Sequence, residues 1–100
     1  MTVKASFACG SELNIQSADK LKARLLKTLE KDVEQFVLNA SKVERVDSAG
    51  LQLLAAFIRE VVARGAVVQW QKPNDTFLNA TKLLGMNSAL QLSLQGGEVV

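Results

Sequence analysis

Gln35-Phe36-Val37-Leu38-Asn39-Ala40, a connection from Ser41 to Asp47, and Ser48-Ala49-Gly50-Leu51 running on to Gly65 and Ala66-Val67-Val68-Gln69-Trp70-Gln71 form the stretch that decides the fold. Leu51, Leu54, Ala55, Ile58, Val61 and Val62 fall at i, i+3, i+4, i+7, i+10 and i+11, the clearest helical stripe in the chain. Gln52, Arg59, Glu60 and Arg64 take its other side, and Gly65 supplies a C-terminal stop. The flanking segments are short and apolar. The run Gln35 to Ala40 lacks polar alternation, so it reads as a strand covered on both faces. Strand, helix and strand in this order make a right-handed parallel crossover unit.

The pattern extends outward on both sides. Val3, Ala5, Phe7 and Cys9 alternate with Lys4, Ser6 and Ala8, the period of a strand with one face in a core. Gly10-Ser11 reads as a hairpin turn into a second strand, Glu12-Leu13-Asn14-Ile15. Ala18, Leu21, Leu25, Leu29 and Val33 line one stripe of a first helix over about residues 18–31, with Ser17 as its N-cap. Pro73 and Asn74 open a third helix, in which Phe77, Thr81 and Leu84 share a face and Gly85 closes it. Leu90 to Leu94 alternates like a short edge strand, and Gly96 to Val100 reads as a loose tail. The order is β-β-α-β-α-β-α: one α/β domain over residues 1–100, with a mixed four- to five-stranded sheet flanked by helices.

Composition removes whole classes of activity. The chain has 100 residues, 48% of them hydrophobic, with 12 Lys plus Arg, 10 Asp plus Glu, one Cys and no His. Without His there is no Ser-His-Asp triad, Cys-His dyad or His-bearing zinc site. No apolar run approaches the roughly 20 residues that cross a bilayer. No secretory leader is visible at the start, and the lone Cys9 fits a reducing compartment, so a cytoplasmic location is expected. The net charge of +2 is too small to imply nucleic acid by itself. A binding protein without metal or cofactor is the expectation.

Val43-Glu44-Arg45-Val46-Asp47-Ser48-Ala49-Gly50-Leu51 joins the third strand to the second helix. It puts the Ser48 hydroxyl at a helix N-terminus, where unpaired N–H groups favour an anion. Ala49 and Gly50 are small and leave that hydroxyl unshielded. Gly50 costs about 1 kcal/mol of helix stability against Ala, which makes sense if a partner protein must come close. The plain alternative is that Asp47 or Ser48 is an ordinary N-cap. The local pattern by itself leaves both readings open.

Asp47-Ser48-Ala49-Gly50-Leu51, with the amphipathic helix, Gly65 and the strand to Gln71 behind it, resembles the STAS domain family of sulfate transporters and anti-sigma factor antagonists. Glu12 to Ala18 resembles the family's second strand and the start of its first helix, and Asn79 to Met86 its late block. The resemblance implies a STAS-like fold and an anti-sigma-antagonist type of action: a partner Ser/Thr kinase phosphorylates Ser48 and so toggles binding. It implies a partner-binding surface of Asp47, Ser48, Ala49, Gly50 and Leu51, with Asn14 as a second contact. Sporulation-type antagonists usually carry Asp at the Asn14 position; Asn keeps the hydrogen bonding and loses the charge. The same residues are similar to STAS proteins of chemotaxis systems and to subunits of lipid-transport ABC complexes, which dock on an ATPase. Phosphoryl transfer would need the partner's ATP and metal, since this chain has no phosphate loop followed by Lys.

The remaining features read most simply as structure. Lys20, Arg24, Lys27 and Lys31 make a basic stripe on the first helix, either a solvated face or a site for an acidic partner. No aromatic residue interleaves with it, which argues against nucleic acid. Cys9 shares the core face of the first strand, and Trp70 shares that of Val68. Met86 reads as a gap filler. Whether the chain is a monomer or a weak dimer is not legible from the sequence.

Overall fold

Alternation along three strands builds the core. In the computed structural model, which describes residues 3–92, the elements are β1 (Lys4–Ala8), β2 (Glu12–Leu13), a 3-10 turn (Ile15–Ser17), α1 (Ala18–Leu29), β3 (Gln35–Asn39), β4 (Arg45–Val46), α2 (Ser48–Ala63), β5 (Val67–Gln71) and α3 (Asp75–Leu83). β1, β3 and β5 form a three-stranded parallel sheet in that order. Its register aligns Ala5, Phe36 and Val68 in one row and Phe7, Leu38 and Trp70 in the next, all of them buried. Period-2 geometry sends these rows to one face, and α1 and α2 bury it. Phe57 of α2 sits over the middle, its ring 6.3 Å from Phe7 and 5.5 Å edge-on from Phe36. Trp70 lies 4.9 Å from Phe77 of α3 and donates its indole N–H to the Leu90 carbonyl at 2.7 Å.

The α/β class and the order of the expected elements stand, with one short strand, β4, added between β3 and α2, while the strand pairing differs from the sequence reading. β1 and β2 do not form a hairpin. β2 pairs parallel with β4, Glu12 opposite Arg45 and Leu13 opposite Val46, in a separate two-stranded sheet. The five strands thus fall into three plus two, and every described pair is parallel. The reason lies in β1, whose ladder is taken up by β3 as far as Cys9, which donates to the Asn39 carbonyl at 2.9 Å. Gly10, at φ +80°, turns the chain away, and the Ser11 carbonyl accepts from the N–H groups of Glu44 and Arg45. The connection Ser41 to Asp47 therefore contains a strand that has too few residues to show a period.

β3 is covered on one face only. Gln35, Val37 and Asn39 are half-buried, and their neighbours Lys4, Ser6, Ala8, Val67, Gln69 and Gln71 are exposed. α1 is shorter than expected, ending at Leu29, and Ser17 makes no side-chain cap for it. Leu84 is exposed rather than sharing the buried face of Phe77 and Thr81. Leu90 to Leu92 is turn and helical turn instead of strand; residues 93–100, the rest of the expected edge strand and the tail, lie outside the described residues. Cys9 and Trp70 are core residues as expected. Burial pushes the Cys9 thiol up to about 12, partly offset by the Arg24 charge, so the thiol is inert.

Gly50 explains how α2 seats itself. It is buried, and a Cβ there would stand 2.1 Å from the Leu13 carbonyl oxygen and 2.3 Å from its carbon. The close approach that calls for a small residue is therefore made by the protein's own β2 backbone, not by a partner. Strand backbone cannot yield as a flexible side chain could. Gly50→Ala should therefore destabilise the fold by about 1–3 kcal/mol despite alanine's better helix propensity. Urea unfolding measures it; an unchanged or raised midpoint would contradict this contact.

Candidate functional site

Four residues at two chain segments build the mouth of α2. Asp47 is its N-cap: Oδ1 accepts from the Gly50 N–H at 3.1 Å. Oδ2 reaches 32 residues back along the chain and accepts from the Ile15 N–H at 2.9 Å. The Asp47 N–H in turn donates to the Leu13 carbonyl at 2.9 Å. One carboxylate thus satisfies a free donor on α2 and another on the 3-10 turn, joining the two segments. These bonds hold its pKa below the ordinary value, the Ile15 N–H contributing most, with partial desolvation opposing and the Gly50 and Ala49 N–H groups adding to the lowering.

Ser48 follows as the first residue of α2. It is exposed, and its hydroxyl makes no hydrogen bond among the described residues. Asp47, and not Ser48, does the capping, which leaves the Ser48 oxygen unused by the fold. Ala49 is half-buried beside it. Gly50 and Leu51 are interior, Leu51 with no exposed surface, so they shape the helix start from beneath and offer a partner no side-chain surface.

Asn14 lies next to the site but is spent locally. It is 8% exposed, and its Oδ1 accepts from the Ser17 N–H at 3.1 Å and the Ser17 hydroxyl at 3.0 Å. Asn14 and Ser17 form a capping box around the 3-10 turn, which is why Ser17 is unavailable to α1. The turn aims the Ile15 N–H at Asp47 and leaves the Ile15 side chain 66% exposed. Ile15 is the surface residue the sequence reading missed. It was read as the last residue of the second strand, which ends at Leu13 instead, and the Asn14-to-Ser17 spacing was the signal of a turn.

The basic stripe is outside this site. Lys20, Arg24, Lys27 and Lys31 are all exposed. Arg24 is committed to the fold: its guanidinium lies 4.6 Å from the Phe7 ring and donates to the Ala8 carbonyl of β1. Among the described residues no cluster of His, Cys, Asp and Glu could hold a metal ion, and no helix is long and apolar enough to cross a membrane.

A carboxylate with a lowered folded pKa contributes stability that is complete above the ordinary carboxylate range and is lost as pH falls through the lowered value. Asp47→Asn should therefore flatten the loss of stability that the native chain shows on acidification from about pH 5 to 3. Asp47→Ala should cost about 1 kcal/mol at neutral pH through the lost cap. Urea unfolding across that range reads both, and parallel curves for the native chain and Asp47→Asn would refute the bridge.

Comparison with known proteins agrees with this architecture. Residues 7–95 match the family described as "Mlab, STAS domain". A sulfate transporter family protein from Wolinella succinogenes superposes with a TM-score of 0.71 at 23% identity, covering 87% of this chain and 70% of that one. The anti-sigma factor antagonist SpoIIAA in its unphosphorylated form superposes with a TM-score of 0.68 at 17% identity, covering 88% of this chain and 77% of that one. Among curated proteins none matches. At these identities the solved structures show a common fold, and the family match runs from β1 past α3. The chain belongs to the STAS domain family.

Proposed function

We propose that this STAS domain is a cytoplasmic regulatory binding protein of the anti-sigma-antagonist type, without catalytic activity of its own, whose docking is switched by a partner Ser/Thr kinase at Ser48. The observation that carries this reading is the exposed Ser48 hydroxyl, free of hydrogen bonds among the described residues, at the start of a helix capped by its neighbour. The likeness to the unphosphorylated SpoIIAA fold supports it.

The geometry changes how the phosphate would act. Asp47 already occupies the Gly50 and Ile15 N–H groups, so a phosphate on Ser48 stands outward beside a carboxylate instead of settling into the helix mouth. Phosphorylation adds roughly −1.5 to −2 charge, bringing the chain from +2 to near neutral. The dianion stands on an exposed position next to the Asp47 carboxylate, where a docked partner would otherwise exclude water. Binding is lost through desolvation and repulsion, with the fold intact.

Asn14 favours a second reading. It is neutral and locked into its own turn, so a kinase finds no carboxylate where sporulation-type antagonists usually present one. On that reading the same surface serves an unphosphorylated adaptor of a chemotaxis complex or an ABC transporter ATPase.

Incubating the native chain with the kinase-like protein encoded beside it and Mg-ATP should add one phosphate, detected by mass spectrometry, and none to Ser48→Ala. Ser48→Asp should weaken binding to that partner roughly tenfold or more. If no phosphate appears and Ser48→Asp binds like the native chain, the switch is refuted. Undiminished binding by Ser48→Ala without any phosphate would establish the adaptor instead.

A further inference from the structure

The outer edge of β1 has no strand beside it among the described residues, because the three-stranded sheet runs β1-β3-β5. The register assigns its backbone groups. Cys9 donates to the Asn39 carbonyl and the Val3 carbonyl accepts from the Gln35 N–H, so the odd-numbered residues face β3. Both main-chain groups of a strand residue point the same way, and Lys4, Ser6 and Ala8 therefore turn theirs outward. All three residues are exposed. Of these outward groups the Ala8 carbonyl alone has a partner among the described residues, the Arg24 guanidinium.

That edge forms one wall of an open groove of about 290 Å³, where Ser6 and Ala8 face Arg24, Lys27 and Lys31. Arg24 and Lys27 belong to α1, and Lys31 follows its end. Arg24 lies over the Phe7 ring and closes the edge at Ala8. Lys27 and Lys31 are exposed, and their ammonium groups have no ion pair or hydrogen bond among the described residues. No carboxylate lines the groove among the described residues. Unpaired main-chain donors and acceptors at strand spacing thus share one groove with two uncommitted cations.

We infer that β1 takes up an extended acidic segment of a partner protein as a fourth strand of the sheet. The edge supplies main-chain hydrogen bonds at Lys4 and Ser6, as in other strand additions. Side chains at alternate positions of the added strand point to the α1 side, where carboxylates meet Lys27 and Lys31. A helix or a nucleic acid could answer the charge but has no free ladder of N–H and C=O groups for the edge. Antiparallel pairing of two copies about an axis normal to the sheet keeps both α1 helices on one face and sets cations against cations, which disfavours a second copy. The groove is outside the Ser48 site, so the two contacts are independent.

Fluorescence anisotropy should show the full chain binding a short end-blocked peptide, in which Glu alternates with Thr, more tightly than about 500 µM. The same peptide with Lys for Glu should not bind. Lys27→Glu and Lys31→Glu, both at exposed positions, should each weaken binding about tenfold or more. Methylation of the peptide's main-chain nitrogens keeps its charge, removes its donors and should abolish binding. Ser6→Pro deletes the matching outward N–H at an edge position that tolerates proline, and should do the same in a chain that circular dichroism finds folded. Absence of binding would overturn the inference. So would equal binding of the methylated peptide, which leaves bare charge attraction, or its displacement by an equal concentration of a single-stranded oligonucleotide. A native chain that sediments as a dimer, and as a monomer after Ser6→Pro, would give the edge to a second copy and overturn it as well.

Discussion

The fold turns on the approach of the first turn of α2 to the backbone of β2. Only a residue without a Cβ fits at Gly50, where the helix backbone meets the Leu13 carbonyl. That contact seats the helix and places Asp47 where its carboxylate can take one N–H from each side. The two-residue pairing of β2 with β4 would be marginal by itself. Held between Gly50, Asp47 and the capped turn at Asn14, it becomes a rigid platform. Ser48 is consequently presented by elements that cannot shift independently.

The placement of the helices divides the surface. α1 and α2 cover one face of the three-stranded sheet and bury its aromatic rows, leaving the opposite face, where polar residues outnumber Ala8, Val37 and Val67, open to half-open. Right-handed crossovers from parallel strands bring the two helices to the same side and the same direction. Their shared direction brings the two helix starts together at the Ser48 platform. The candidate switch is thus a product of that single topological choice.

A phosphoacceptor reading gains physical content from the cap. Had Ser48 capped the helix itself, its oxygen would be engaged and its modification would break the helix start. Asp47 takes that duty, so the hydroxyl can gain or lose a charge without touching any bond that holds the fold. Ile15, whose N–H is held by the same carboxylate, is an exposed apolar residue of the adjoining turn. A regulatory surface needs both properties: chemistry that is free to change and a frame that does not respond.

What the sequence determined by itself was whatever local periodicity encodes. The stripe from Leu51 to Val62, the alternation of β1, the apolar run of β3 and the helix stops at Gly65 and Gly85 specified the element types, their order and the class, because side-chain direction repeats within a few residues. The exposed hydroxyl at a helix start was legible for the same reason. Tertiary structure alone decided the strand partners, since a two-residue strand such as β4 carries no period and Gly10-Ser11 suits a hairpin as well as a change of sheet. It decided that β3 is covered on one face only, a matter of where α1 and α2 settle. It also set the duties of Gly50, Asn14 and Ile15. Each is fixed by a contact with a distant segment or by one turn's geometry, and no propensity scale records either.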